Sequence, residues 1–204
     1  MKNALSQLGQ DKYVIKDIYK NKRGGFFVDV GASHGLKLSN TYLLEKDFGW
    51  NGICIEPNPN FFKKLVKNRK ARCLQYAAYS VGEQELEFTV AGVLSGILEH
   101  IDYHKSATQN SIIKVKTKTL TKILDECKAP LFIEYLSLDT EGSELEVLKG
   151  VDFNKYTFGF ITVEHNWVEP RRTDMKEFLV KNGYRFCCEV RHDDYYIHKN
   201  LESK

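Results

Sequence analysis

Phe26-Phe27-Val28-Asp29-Val30-Gly31-Ala32-Ser33-His34-Gly35 reads as a buried strand that breaks abruptly into a glycine-bearing loop. Its apolar, strand-favouring run, interrupted only by Asp29, suits a parallel strand covered on both faces. The acid is the anomaly. A carboxylate near the end of such a strand must meet donors or water, because burying it unpaired costs on the order of several kcal/mol. Gly31 and Gly35 let the backbone turn and lie against a ligand where a side chain would collide. The stretch therefore predicts a cradle for a nucleotide-like cofactor.

The segments on either side extend this pattern. Upstream, Tyr13, Val14, Ile15, Ile18 and Tyr19 form a helical apolar stripe, which predicts a docking helix within residues 1–24 that ends at Gly24-Gly25. Downstream, residues 40–48 read as a helix closed by Gly49, and residues 50–56 as a second strand ending in Glu56. Pro57-Asn58-Pro59 then starts a helix over residues 60–70 with Phe61, Phe62, Leu65 and Val66 inside, and residues 72–77 read as a third strand. Such alternation implies parallel strands joined by right-handed crossovers, with a ligand crevice at their carboxyl ends. Glu56 follows Gly31 by 25 residues, close to the about 20 that separate a glycine loop from a ribose-binding acid. Asp29, Glu56 and Tyr76-Ala77-Ala78 should converge at that crevice.

Residues 80–119 interrupt the alternation as an inserted strand and loop excursion on the acceptor side. Ser95, Gly96, His100, Tyr103 and His104 are candidates there for a lid or acceptor wall, with a plain surface excursion as the alternative. Strands resume at residues 131–138, ending in Asp139, and at 157–163, ending in Glu164-His165-Asn166. Helices fall at 144–148 and 172–182, and residues 184–198 form a hairpin around His192-Asp193-Asp194. The fold class is α/β: five parallel strands with helices on both faces and a C-terminal antiparallel hairpin, in one domain over residues 1–204.

Composition narrows the function. Thirty basic against 27 acidic residues leave a net charge of +3, too balanced for nucleic acid as the main partner. The five cysteines have no zinc-type spacing, which fits a reducing, intracellular compartment. No apolar run approaches the roughly 18 to 20 residues of a membrane span. The glycine loop reads GxxxG and lacks the full dinucleotide pattern GxGxxG.

Val28-Asp29-Val30-Gly31-Ala32, Ile55-Glu56-Pro57-Asn58, the run from Leu138-Asp139-Thr140-Glu141-Gly142-Ser143-Glu144 to Gly150, and Val163-Glu164 together resemble the FkbM-type S-adenosylmethionine-dependent methyltransferases over most of the chain. The third is the most specific, although Ser137 stands where that family commonly carries a lysine. Ser6-Gln7, Gly9-Gln10-Asp11 and Ser39-Asn40-Thr41 look similar to a subgroup. The resemblance implies a Rossmann-like class I methyltransferase fold and O-methylation of a hydroxyl on a sugar, glycan or sugar-like small molecule. It implies Asp29, Gly31, Ala32, Ser33 and Gly35 at the methionine end of S-adenosylmethionine, and Glu56, Pro57 and Asn58 at the ribose. Tyr76, Ala77 and Ala78 would meet the adenine, with Gln10 and Asn40 approaching the cofactor. Association with a glycosyltransferase is a partner it leaves open, and the oligomeric state is not set.

A free hydroxyl is a poor nucleophile, so a base or a metal should assist. His165 is the first candidate base, with a structural histidine beside Trp167 as the alternative. Asp139, Glu164 and Asn166 offer three oxygen ligands for magnesium or another divalent cation, similar to catechol-type O-methyltransferases. Asp139 and Glu164 can also serve without metal, and Glu141 and Glu144, the latter first, can cap the following helix. Arg171 and Arg172 read as a solvated pair or an anion clamp, and His34 as a cofactor contact or a surface residue. The alternative function is a nucleotide-sugar or dinucleotide-binding module without methyl transfer.

Overall fold

A computed structural model describes residues 6–101 and 110–201. In chain order its elements are α1 (Gln10–Tyr13), β1 (Phe26–Val30), α2 (Tyr42–Phe48), β2 (Asn51–Ile55), α3 (Pro59–Asn68), β3 (Arg72–Leu74), β4 (Ala77–Ala78), β5 (Glu85–Val90), β6 (Gly96–Ile97), β7 (Ser111–Lys118), α4 (Leu120–Cys127), β8 (Phe132–Leu138), α5 (Glu144–Lys149), β9 (Thr157–Glu164), α6 (Arg171–Lys181), β10 (Tyr184–Val190) and β11 (Asp193–His198). A π-helical turn, Val14–Ile18, continues α1, so the docking segment is helical but wider than an α-helix.

The main sheet has the order β10-β11-β9-β8-β1-β2-β3. β3, β2, β1, β8 and β9 pair in parallel, and β11 runs antiparallel to both β9 and β10. This is the expected set of five parallel strands with an antiparallel hairpin. Alternation along β1 serves two cores. Val28 and Val30 face one, filled by Leu120, Ile123 and Leu124 of α4, Leu148 of α5 and Leu179 of α6. Phe27 faces the other, with Val14 and Ile15, Leu44 of α2 and Leu65 of α3. Burial on both faces explains the continuous apolar runs.

Two boundaries differ from the sequence reading. The third strand ends at Leu74, and Ala77–Ala78 pairs instead with Thr117 and Lys118 of β7, in a second sheet of order β4-β7-β5-β6. That change of sheet carries residues 76–78 across the carboxyl edge. Val66, expected inside, is 52% exposed. It sits one residue, about 100°, around α3 from Leu65, and just beyond the helix the fully buried Arg69 side chain occupies the sheet-facing side. Tyr103 and His104 lie outside the described residues. No helix among the described residues is long and apolar enough to cross a membrane.

Candidate active site

The carboxyl ends of β1, β2, β8 and β9 surround a cavity of about 320 Å³. On one side, the N–H groups of Gly31 and Ala32 both donate to the Ile55 carbonyl, at 3.0 and 3.1 Å. Gly31 has φ +84°, and a Cβ there would lie 1.7 Å from the Asp139 carbonyl oxygen. Only glycine lets the loop after β1 lie against the exit of β8.

Glu56 takes the N–H groups of Ser33 at 2.8 Å and Asn58 at 2.7 Å, one on each carboxylate oxygen. It is 5% exposed, and burial pushes its pKa up to about 7 against the pull of those amides. A carboxylate offers about four lone-pair sites, so acceptor capacity remains. Asp29 accepts from Thr41 Oγ1 at 2.6 Å and lies 3.8 Å from Arg69 Nη1. Burial raises its pKa while the guanidinium opposes. Ser33 Oγ and Asn40 Oδ1 are buried without a hydrogen-bond partner, and both residues line the cavity. Buried polar atoms rarely stay so, and a bound ligand with polar groups would satisfy them.

The other side is acidic. Asp139, Glu141 and Glu164 line it. Burial holds Asp139 and Glu164 well above the usual carboxylate range, reinforced in both by the charge of Glu141; Asp139 raises Glu164 further, whereas a hydrogen bond from Glu164 opposes the shift of Asp139. Burial and Glu144 push Glu141 to about 7. Glu144 accepts the N–H groups of Thr140 and Gly142, so it pins this loop and does not cap α5. His192 completes the wall. Because β11 runs antiparallel with Asp193 opposite Glu164, the β10–β11 turn returns to the edge where β9 ends. Sequence reasoning missed His192. The hairpin itself was legible, and its signal would have been that a strand inserted antiparallel beside β9 starts where β9 stops.

Of the other donor-side candidates, Ala32, Pro57 and Tyr76 to Ala78 also line the cavity, and so does Asn166. Four expected site residues do not. Gln10 donates to Asp193 Oδ2 at 2.8 Å and accepts from the Leu8 N–H. Asn58 caps α3 by accepting from the Asn60 N–H at 2.9 Å. At Gly35 a Cβ would meet Leu65 Cδ1 at 2.6 Å and Arg69 Cγ at 2.7 Å, so the close approach there is to protein and not to ligand. His165 is the principal correction. Side chains alternate along a strand, and with Glu164 facing the cavity His165 turns away. It is 1% exposed, accepts from the Trp167 N–H at Nδ1, and sets Nε2 3.4 Å from Asp194.

The expected metal set changes too. Asn166 donates to Glu164 Oε2 at 2.9 Å. The groups of His, Asp and Glu whose ligand atoms converge within 4.8 Å, among the described residues, are Asp139–Glu141–Glu164 and Glu164–His192–Asp193. Arg172 is neither solvated nor an anion clamp, since it pairs with Asp194 at 2.8 Å and Glu189 at 2.5 Å. Arg171 donates to the His100 carbonyl at 3.3 Å. His34 accepts from the Leu36 N–H and stands outside the cavity wall, whereas Ser95 is part of it.

A family model described as the methyltransferase FkbM domain matches residues 29–186. No curated protein matches the chain. Among solved structures, the methyltransferase FkbM from Methylobacillus flagellatus superposes with a TM-score of 0.54 at 17% identity, covering 91% of this chain and 48% of that one. The chain thus spans about half the length of that relative. A TehB-like S-adenosylmethionine-dependent methyltransferase from Corynebacterium glutamicum gives 0.51 at 11% identity, covering 94% and 86%. At these identities the likeness concerns the fold, which is that of class I methyltransferases.

Proposed function

The chain belongs to the FkbM methyltransferase family, and on that premise we propose that it transfers the methyl group of S-adenosylmethionine to a hydroxyl of a sugar, a glycan or a sugar-like small molecule. The observation that carries this reading is a single cavity walled by Glu56 and the Gly31 loop on one side and by Asp139 and Glu164 on the other. Donor and acceptor halves are then within one enclosure, and much of the rate can come from alignment.

The donor half suits the cofactor. Ser33 Oγ and Asn40 Oδ1 have no hydrogen-bond partner among the described residues, Glu56 keeps lone pairs for ribose hydroxyls, and Tyr76 to Ala78 wall the remaining space. When bound, S-adenosylmethionine supplies a methyl group on a sulfonium whose sulfur keeps the bonding electron pair and leaves as a neutral thioether. Asp139 holds the acceptor by accepting the hydroxyl's hydrogen bond, and takes its proton as the new C–O bond forms. Its backbone touches Gly31, so it stands where the two halves meet. Val93 and Leu94, from the excursion between β5 and β6, add apolar side chains to the cavity lining.

The test is incubation with methyl-labelled S-adenosylmethionine and a panel of free sugars, nucleotide sugars and glycosides, followed by mass spectrometry. The expected product is an O-methyl ether on one acceptor class. Label found only on nitrogen or carbon, or calorimetric binding of NAD without S-adenosylmethionine, would refute the reading.

A further inference from the structure

We propose that Glu164, His192 and Asp193 form a binding site for a first-row divalent cation at the junction of β9 and β11. The inference rests on the methyltransferase reading only for its use, which is to hold the acceptor's oxygens. The site itself follows from how three side chains are set. His192 Nε2 lies 3.9 Å from Glu164 Oε1 and 4.0 Å from Asp193 Oδ1. Both distances are too long for hydrogen bonds. Two ligands each about 2.1 Å from one ion lie roughly 3 to 3.6 Å apart, so side-chain shifts of under about an ångström would close the set.

The remaining oxygens are held from outside. Asn166 Nδ2 donates to Glu164 Oε2 at 2.9 Å, and Gln10 Nε2 donates to Asp193 Oδ2 at 2.8 Å. Each carboxylate is thereby fixed through one oxygen while the other faces the imidazole. That is how amide groups behind a metal site orient its ligands. The backbone fixes the third member, since the His192 carbonyl accepts the His165 N–H at 2.7 Å and ties the turn to the end of β9.

Charge points the same way. Among the described residues lining the cavity, the carboxylates of Asp29, Glu56, Asp139 and Glu164 are accompanied by one lysine, Lys37. Asp29 has Arg69, and Glu56 has two amides. Arg172, behind the wall, is already paired with Asp194 and Glu189. A cation at Glu164 would offset this excess. One imidazole with two carboxylates suits manganese, iron or zinc better than magnesium, which prefers all-oxygen sites. Glu164 and His192 reach the cavity while Asp193 lies behind them, so the open coordination positions face the acceptor.

The test uses the whole chain, stripped with chelator and titrated with Mn²⁺ in the absence of S-adenosylmethionine and of any acceptor. Calorimetry should give one Mn²⁺ per chain, and electron paramagnetic resonance should show coupling of that ion to an imidazole nitrogen. His192→Gln should abolish the nitrogen coupling. Gln10→Ala should weaken binding about 10- to 100-fold, the usual effect of removing an orienting group. Asp139→Asn should leave the nitrogen coupling in place. Absence of stoichiometric Mn²⁺, or Mn²⁺ bound without nitrogen coupling through the Asp139–Glu141–Glu164 set, overturns the inference. Because S-adenosylmethionine binding is measured separately, a chain that binds it but not Mn²⁺ refutes the metal site and leaves the proposed function standing.

Discussion

Replacing Glu56 by glutamine separates what this carboxylate does for the ligand from what it does for the fold. In the chain without ligand, burial pushes its pKa from 4.5 to about 7, a cost of roughly 3 kcal/mol on the charged form. The sign follows from linkage: a raised pKa gives stability that is fully present below the unfolded value and lost as pH rises through about 7. Glutamine removes that cost near about pH 8 but places an NH₂ against one of the two amide donors, Ser33 or Asn58, which returns about 1 to 3 kcal/mol. The two terms nearly cancel, so thermal unfolding at about pH 8 should shift little. Affinity for S-adenosylmethionine should behave otherwise. One charge-assisted bond to a ribose hydroxyl, about 1.5 to 3 kcal/mol, is lost, a weakening of about 10- to 100-fold. Calorimetric titration should also show wild-type affinity falling as pH drops through about 7 while the variant stays nearly flat. Unchanged affinity, or a variant retaining the wild-type pH slope, would remove Glu56 from the donor site.

Three further outcomes are expected. Asp139→Asn should lower kcat by about 10²- to 10⁴-fold with little change in donor affinity, measured by single-turnover transfer and calorimetry. Arg69→Met leaves Asp29 and Glu45 without the buried guanidinium that lies 3.8 and 2.9 Å from them. It should cost about 3 to 5 kcal/mol in urea unfolding. Gly31→Ala forces φ +84° on a residue with a Cβ and drives that Cβ into the Asp139 carbonyl. Strain and overpacking together should cost about 3 to 5 kcal/mol, with circular dichroism showing a lowered melting temperature.

Much of the cavity wall around Gly31 and Glu56 was legible because it follows chain order. In a parallel sheet every strand ends at the same edge, so Asp29, Glu56 and Asp139 could be placed by finding where apolar runs stop. The wall around Glu164 was harder because it depends on pairing. Asp193 begins β11 and His192 ends the turn before it, and only the antiparallel insertion of β11 between β9 and β10 brings them to Glu164. His165 misled because neighbouring residues at a strand end point opposite ways, and sequence adjacency to Glu164 says nothing about which way each turns. Gly35 misled differently. Its need for space was read correctly, but the occupant is the Leu65 and Arg69 pair, supplied by a helix some thirty residues on. Ser137, in the place of a lysine common in the family, is fully buried and accepts from Asn40 Nδ2 at 3.0 Å, so a charged side chain there would displace a contact the donor loop uses.

The reversal of β11 also bears on when the protein can act as it is made. Tyr195 packs into the core shared with Phe27 and Trp50, while its neighbour Tyr196 packs into the core shared with Val28 and Leu136. The same strand starts at Asp193, opposite Glu164. Closing both hydrophobic layers and completing the cavity wall beside Glu164 are therefore one event, brought about by a strand that leaves the ribosome after every parallel strand of the sheet. A nascent chain that has assembled the Gly31 loop and Glu56 still lacks the His192 side of the cavity, which arrives with the strand that closes both cores.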